Sequence, residues 1–103
     1  MSIRLAQLEE FLKEDPNDPF NLYALALEYQ KSDILKAREL FDQLLKQHED
    51  YIPTYYHVSN LYLTLNLTNE AIKILEKGIQ KARAQNELKA MRELQTVYDE
   101  LTL

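Results

Sequence analysis

The sequence contains no cysteine and very little glycine or proline. Its 103 residues include one glycine, Gly78, and three prolines, Pro16, Pro19 and Pro53. The lack of cysteine excludes disulfides, thiolate nucleophiles and cysteine-ligated zinc. Because glycine and proline mark most turns, their scarcity predicts long helices. Leu, Glu, Lys, Gln and Ala, which are strong helix formers, fill much of the chain.

Long apolar runs are also missing. No stretch approaches 18 uninterrupted apolar residues, so the sequence predicts no membrane span. The first residues, MSIRLAQLEEFL, reach Glu9 before any long apolar run, which argues against a signal peptide. We therefore expect a cytoplasmic protein. The length predicts one domain over residues 1–103, and a composition of 46% hydrophobic and 28% charged residues is typical of a globular chain.

Positive charge is in deficit, since the net charge is −5. This argues against sequence-independent nucleic-acid binding, which needs clustered Lys and Arg. The charge is uneven: residues 1–20 are net negative, whereas residues 73–92 are net positive. We interpret these segments as solvated helix surfaces. Head-to-tail association through ends of opposite charge remains the alternative.

Helical spacing of apolar residues defines six segments, and none shows the alternation of a strand. Their approximate ranges are 3–14, 19–31, 34–48, 53–65, 69–84 and 87–101. Asp18 is the expected N-cap of the second helix, with Pro19 in its first turn. Asn66 and Asn86 are the expected left-handed residues that end the fourth and fifth helices. Thr68 is the expected cap of the fifth helix. The sequence thus predicts an all-α fold.

The helices repeat. In the first helix of each pair, Leu22, Ala26 and Tyr29 recur 33 residues later as Tyr55, Ser59 and Tyr62. In the second helix, Ala37, Phe41 and Leu44 recur 34 residues later as Ala71, Leu75 and Gly78. Two helices with small residues at fixed places and a period of about 34 are typical of a tetratricopeptide repeat. The chain therefore resembles a small tetratricopeptide-repeat (TPR) protein.

This resemblance implies a right-handed solenoid of antiparallel helix pairs. Two whole repeats would occupy residues 19–51 and 52–85. Residues 3–18 would be the second helix of a preceding partial repeat, and 87–101 the capping helix. A start on a lone second helix favours a fragment of a longer array. The chain departs from the family where Leu22 or Tyr55 replaces the usual Trp, where Ala26 or Ser59 replaces the usual Gly, and where Leu44 replaces the usual Ala.

Small residues mark the expected helix crossings. Ala26 and Ser59 are predicted to lie where the two helices of a repeat cross closely, with Ala37 and Ala71 facing them. Gly78 costs about 1 kcal/mol relative to Ala in a helix, so another group should approach its backbone. The terminal helix is the first candidate and a partner is the second.

The resemblance also assigns a binding groove to the first helices of the repeats. The groove residues by the family's pattern are Phe20, Tyr23, Leu27 and Gln30 in the first repeat, and Tyr56, Asn60, Leu63 and Thr64 in the second. Burial of Tyr23 and Leu27 by flanking helices is the open alternative. Chaperone-binding members grip a terminal carboxylate with Lys and Asn. Only Asn60 matches them, and Tyr23 and Leu27 stand at expected Lys and Asn positions, which argues against that ligand.

Together these features predict a non-catalytic module that binds a protein or peptide segment in its groove. The alternative is a structural unit that self-associates, for example as a homodimer. An enzyme has no specific support: His48 and His57 lack the spacing of metal ligands or a catalytic triad, and one glycine cannot build a phosphate loop. We expect no metal and no cofactor. The stripe of Lys73, Lys77 and Lys81 is expected to face water.

Overall fold

A computed structural model describes residues 2–103, and it places most of them in α-helices joined by short turns. The helices are α1 (Ile3–Glu14), α2 (Pro19–Tyr29), α3 (Ile34–Gln47), α4 (Pro53–Thr64), α5 (Thr68–Ala84) and α6 (Leu88–Thr102). Residues 2–103 contain no strand. The all-α fold and the number of helices predicted from the sequence are confirmed.

The start of α2 follows the predicted capping chemistry. The Asp18 side chain accepts a hydrogen bond from the backbone N–H of Phe20 at 2.9 Å, and Pro19 is the first helical residue. The carboxylate satisfies an N–H that has no partner within the helix. At α5 the prediction is wrong, because Thr68 is already helical and Leu67 at the N-cap position makes no side-chain cap.

The ends of α4 and α5 depend on asparagine. Asn66 has φ 62° and Asn86 has φ 59°, both in the left-handed region. After Asn66 the chain turns back, and the Leu67 N–H donates to the carbonyl of Tyr62 at 2.8 Å. This six-residue closure is the Schellman arrangement that stops a helix. The two predicted asparagine turns are therefore confirmed.

The helices form two compact units that divide between His48 and Glu49. In the first unit α2 packs against both α1 and α3. The amide of Asn21 donates to the carbonyls of Phe11 and Asp15 at 3.2 Å, which joins the start of α2 to the end of α1. The buried apolar residues of this unit are Leu5, Leu8, Leu22, Leu25, Ala26, Ala37, Leu40, Phe41 and Leu44.

In the second unit α5 packs against α4 and α6, and α4 also contacts α6. Gly78 in α5 lies against Tyr55 near the start of α4, where an added Cβ would stand 2.7 Å from the Tyr55 Cβ. The Tyr55 ring, and not the terminal helix, is therefore the group that requires glycine. The buried apolar residues of this unit are Ile52, Tyr55, Val58, Leu61, Tyr62, Ala71, Leu75, Ile79, Ala82 and Leu94.

The small residues of the repeats are fully buried, as the sequence predicts. Ala26, Ala37, Ser59 and Ala71 have no accessible surface. The Ser59 hydroxyl donates to the carbonyl of Tyr56 at 2.8 Å, so its polar atom is satisfied within α4. The placement of the repeats at 19–51 and 52–85 within one domain stays a prediction.

The outer helices are covered on one side only. Ile3 and Phe11 of α1 are exposed, and so is Leu88 at the start of α6. In α6 Leu94 is the buried residue, while its other apolar residues are partly exposed. The helical pattern located an apolar face on each helix correctly. It did not show how much of that face a neighbour covers.

Candidate functional site

A pocket of about 390 Å³ lies between α1 and α2 in the first unit. Its lining residues are Arg4, Phe20, Tyr23, Ala24, Leu27, Glu28 and Lys31. Three predicted groove residues of α2, Phe20, Tyr23 and Leu27, thus line one concavity. Gln30, the fourth, does not line it.

Helix geometry explains why these three residues come together. Phe20, Tyr23 and Leu27 are spaced by three and four residues, which places them along one side of α2. The buried residues Leu22 and Ala26 occupy other positions around the same helix. The side of α2 that lines the pocket is therefore separate from the side that builds the core.

The aromatic part of the pocket is partly open. Phe20 is 56% exposed, and its ring centroid lies 6.5 Å from that of Tyr23 with the ring planes tilted by 47°. Tyr23 and Leu27 are half-buried. Burial raises the pKa of the Tyr23 hydroxyl above its ordinary value, so it stays neutral at neutral pH. The flanking helices thus cover Tyr23 and Leu27 only in part.

The charged part of the pocket contains Arg4, Glu28 and Lys31. Lys31 and Glu28 form an ion pair at 3.1 Å, whereas Arg4 forms no salt bridge within residues 2–103. A second pocket of about 370 Å³ shares Glu28 and Lys31 and adds Ser2, Leu5 and Ser32. The apolar concavity therefore has a cationic edge at Arg4.

Arg4 was not among the residues predicted from the sequence, although the repeat pattern contains a signal for it. Arg4, Leu8 and Phe11 precede Ala37, Phe41 and Leu44 by 33 residues. The position that holds a buried alanine in α3 thus holds an exposed arginine in α1. Because Arg4 is long and charged where the equivalent position of α3 holds alanine, this side of α1 must face different surroundings from those of Ala37.

The predicted residues of the second repeat lie on α4, in the second unit. Tyr56 is 41% exposed, while Asn60 and Leu63 are half-buried. The Thr64 hydroxyl donates to the Asn60 carbonyl at 3.1 Å. The Tyr56 ring meets the ring of His57 edge-on at a centroid distance of 5.6 Å. That these residues share a groove with those of α2 stays a prediction.

The imidazole of His57 in α4 is half-buried. Burial lowers the pKa of His57, so its imidazole is neutral at neutral pH. Within residues 2–103 no cluster of three or more His, Asp or Glu is placed to hold a metal ion. None of the helices in this part of the chain is long and apolar enough to cross a membrane.

The lysine stripe of α5 is partly engaged within its own unit. Lys77 pairs with Glu49 at 2.9 Å, and Lys81 pairs with both Glu49 and Asp50 at 3.2 Å. The Tyr55 hydroxyl donates to the Glu49 carbonyl at 2.6 Å. These contacts hold the segment before α4 against α5. Two of the three lysines expected to face water therefore have a structural role.

Comparisons with known proteins agree with the helix repeats. The tetratricopeptide repeat model matches residues 28–94. A solution NMR structure of a tetratricopeptide repeat domain protein from Salinibacter ruber is 41% identical, with a TM-score of 0.80 over 84% of this chain and 89% of that chain. A crystal structure of a tetratricopeptide repeat domain protein from the same organism is 40% identical, with a TM-score of 0.78 over 82% of this chain and 96% of that chain. No curated protein sequence matches. The chain belongs to the tetratricopeptide-repeat family.

Proposed function

We propose that this protein is a non-catalytic module that binds a segment of another polypeptide in the pocket between α1 and α2. Tetratricopeptide-repeat domains generally serve as protein-interaction scaffolds. The observation that carries the proposal is the cluster of Phe20, Tyr23 and Leu27, which is apolar and partly exposed in a concave site. Concave apolar surfaces with a few polar groups are the usual form of binding sites.

The residue types favour a polypeptide ligand. Large aromatic side chains and arginine dominate the binding energy of protein interfaces because each contributes a wide contact area. Here Phe20 and Tyr23 supply that area, and Arg4 at the edge supplies a charged donor. The neutral Tyr23 hydroxyl adds a hydrogen-bonding group. We therefore expect a ligand with an apolar side chain in the pocket and a carboxylate near Arg4.

Selection from a random peptide library displayed on phage tests this function. Peptides enriched on the wild-type protein are synthesised, and their affinities are measured by fluorescence polarisation. We expect Tyr23→Ala to weaken them by about tenfold or more, as for a hot-spot residue. Leu35→Ala is the matched control, because Leu35 is an exposed leucine on α3 outside the pocket. Equal affinity for wild type and Tyr23→Ala, with unchanged helical circular dichroism, would exclude the pocket.

A separate arm tests the residues of α4. Tyr56→Ala changes an exposed aromatic side chain of the second unit and leaves the pocket intact. If Tyr56 takes part in the same site, the selected peptides lose affinity in this variant as well. If their affinity is unchanged, the site is confined to α1 and α2, and the predicted groove residues Tyr56, Asn60 and Leu63 are removed from it.

A further inference from the structure

The segments before α2 and before α4 are held in place by different chemistry. Before α2 the attachment is a neutral amide, since Asn21 donates to the carbonyls of Phe11 and Asp15 at 3.2 Å. The first turn of α2 also has its own cap, because the Asp18 side chain accepts from the N–H of Phe20 at 2.9 Å. The start of α2 is therefore fixed by short-range hydrogen bonds.

Before α4 the attachment is charged. Residues 49–52, here called the strap, lie against α5 through Glu49 and Asp50. Glu49 pairs with Lys77 at 2.9 Å and with Lys81 at 3.2 Å, and Asp50 pairs with Lys81 at 3.2 Å. The amide of Gln85 adds a hydrogen bond to the Asp50 carbonyl at 2.9 Å. The Glu49 and Asp50 side chains are 50% and 76% exposed, so dissolved salt can screen these pairs.

The first repeat lacks the charges that hold the strap. Lys77 and Lys81 stand 34 positions after Gln43 and Gln47, and the amide of Gln43 donates to Gln47 at 3.2 Å. Neither Asp15 nor Asp18 forms an ion pair within residues 2–103. A segment held by charge is therefore not a requirement of the repeat fold, and among the described residues it belongs to the second unit.

The first turn of α4 depends on the strap. Ile52 at the N-cap position provides no side-chain cap among the described residues. The N–H groups of Thr54 and Tyr55 instead donate back to the carbonyls of Tyr51 and Ile52, at 3.3 and 3.1 Å. The Tyr55 hydroxyl donates to the Glu49 carbonyl at 2.6 Å. Backbone and side-chain bonds thus couple the strap to the residues that follow it.

This turn also contains a polar group that favours opening. The Thr54 hydroxyl is fully buried and has no hydrogen-bond partner in the part of the chain that the structure describes. An unpaired buried hydroxyl costs free energy, which is recovered when water reaches it. Opening of the turn would hydrate this group. The ion pairs of Glu49 and Asp50 with α5 act against that tendency.

We infer that the strap is a salt-sensitive device, in which residues 49–55 open together when the ion pairs to α5 are screened or neutralised. The segment before α2 stays closed under the same conditions. The device is separate from the pocket between α1 and α2. It acts on the turn that precedes Tyr56, an exposed aromatic residue of α4, so ionic strength sets how firmly that residue is held.

Exchange of single backbone amides with water, measured by NMR at pH 7, tests the inference. Salt is raised from a low concentration to about 1 M, at which charges are screened within about 3 Å. We expect the amides of Thr54 and Tyr55 to exchange about threefold faster or more, the scale expected for the loss of exposed ion pairs. The amides of Phe20 and Asn21 at the start of α2 are the internal control and should change little.

A pair of lysine variants tests the same step without added salt. Lys81→Gln removes the charge that pairs with both Glu49 and Asp50. It should accelerate the Thr54 amide at low salt and leave little further response to salt. Lys73→Gln is the matched control, because Lys73 is an exposed lysine of α5 that forms no ion pair within the described range. This variant should exchange at the wild-type rate.

Three results would overturn the inference. The first is exchange of the Thr54 and Tyr55 amides that changes neither with salt nor in Lys81→Gln. The second is equal acceleration at Phe20, because every helix start would then loosen alike. The third is equal acceleration at Leu75, which is buried in the middle of α5. In that case the whole unit would open, and the strap would not be a separate element.

Discussion

At the scale of single residues, Gly78 shows how a contact can reverse an intrinsic preference. Replacing glycine by alanine inside a helix ordinarily stabilises it by about 1 kcal/mol. At Gly78 the new Cβ would stand 2.7 Å from the Tyr55 Cβ and 2.8 Å from its Cγ, and the Tyr55 Cβ cannot move without the backbone of α4. Overpacking of this kind costs about 1–3 kcal/mol. We therefore expect Gly78→Ala to lower the free energy of unfolding by about 1 kcal/mol, as measured by urea denaturation.

The double variant Tyr55→Gly with Gly78→Ala provides the control for this prediction. Glycine at position 55 removes the Cβ as well as the ring, so the helix preference should dominate, and Gly78→Ala should then be neutral or stabilising relative to Tyr55→Gly alone. A stabilising effect of Gly78→Ala in the wild-type background would mean that Tyr55 moves aside at little cost.

The buried small residues give a second prediction at this scale. Ala26 and Ser59 have no accessible surface, in α2 and α4 respectively. We expect Ala26→Leu and Ser59→Leu each to lower the free energy of unfolding by about 1–3 kcal/mol, because the larger side chain must displace packed neighbours. Ala84→Leu, at an exposed position near the end of α5, is the matched control and should change it little. Unchanged thermal melts of both buried variants would contradict the predicted close crossing.

The residues whose structural roles could be predicted from the sequence are those whose own side-chain chemistry decides the role. Asn66 and Asn86 were predicted because asparagine tolerates positive φ, and Ala26 because only a small side chain fits a close crossing. Two contacts were not predicted from the sequence. Gly78 was expected to lie against the terminal helix but lies against Tyr55. Lys81 was expected to face water but pairs with Glu49 and Asp50. Those contacts join residues that are distant along the chain, such as Glu49 and Lys81.

At the scale of elements, charge pairs attach the segment before α4 to α5. Hydrogen bonds and the positive charge of Lys77 and Lys81 hold the pKa of Glu49 below its ordinary value of 4.5. A carboxylate with a lowered pKa stabilises the folded chain above its ordinary pKa, and that contribution is lost as the pH falls through the folded pKa. We therefore expect Glu49→Gln to lower the thermal midpoint at pH 7, with a difference from wild type that shrinks below pH 4.5.

The contribution of Lys81 to the contact between α5 and the segment before α4 is lost at high pH. The hydrogen bonds that Lys81 donates to Asp50 and then to Glu49 raise the pKa of Lys81 above its ordinary value of 10.5, so the contribution of Lys81 to stability is lost as the pH rises through the folded pKa. Glu39→Gln is the control for Glu49→Gln, because Glu39 pairs with Lys36 on the surface of α3 alone. A difference that persists undiminished at low pH would show that Glu49 acts through something other than its charge.

Element boundaries were predictable where a capping residue was present. Asp18 and Pro19 fixed the start of α2 in the sequence analysis and in the structure. At α5 no side-chain cap exists, and the predicted start was late by one residue. The exposure of Phe11 and Leu88 is not predictable from capping chemistry. Helical spacing identifies an apolar face, but the number of helices packed against that face depends on the tertiary arrangement.

At the scale of the whole molecule, the repeat was the part of the structure most accessible from sequence. Helical spacing predicted the number of helices, and a repeated set of positions at a period of about 34 predicted the family. The candidate site was predicted only in part, since Phe20, Tyr23 and Leu27 line the pocket but Gln30 does not. The cationic edge at Arg4 was missed because it comes from α1, a helix outside the whole repeats on which the groove prediction was based.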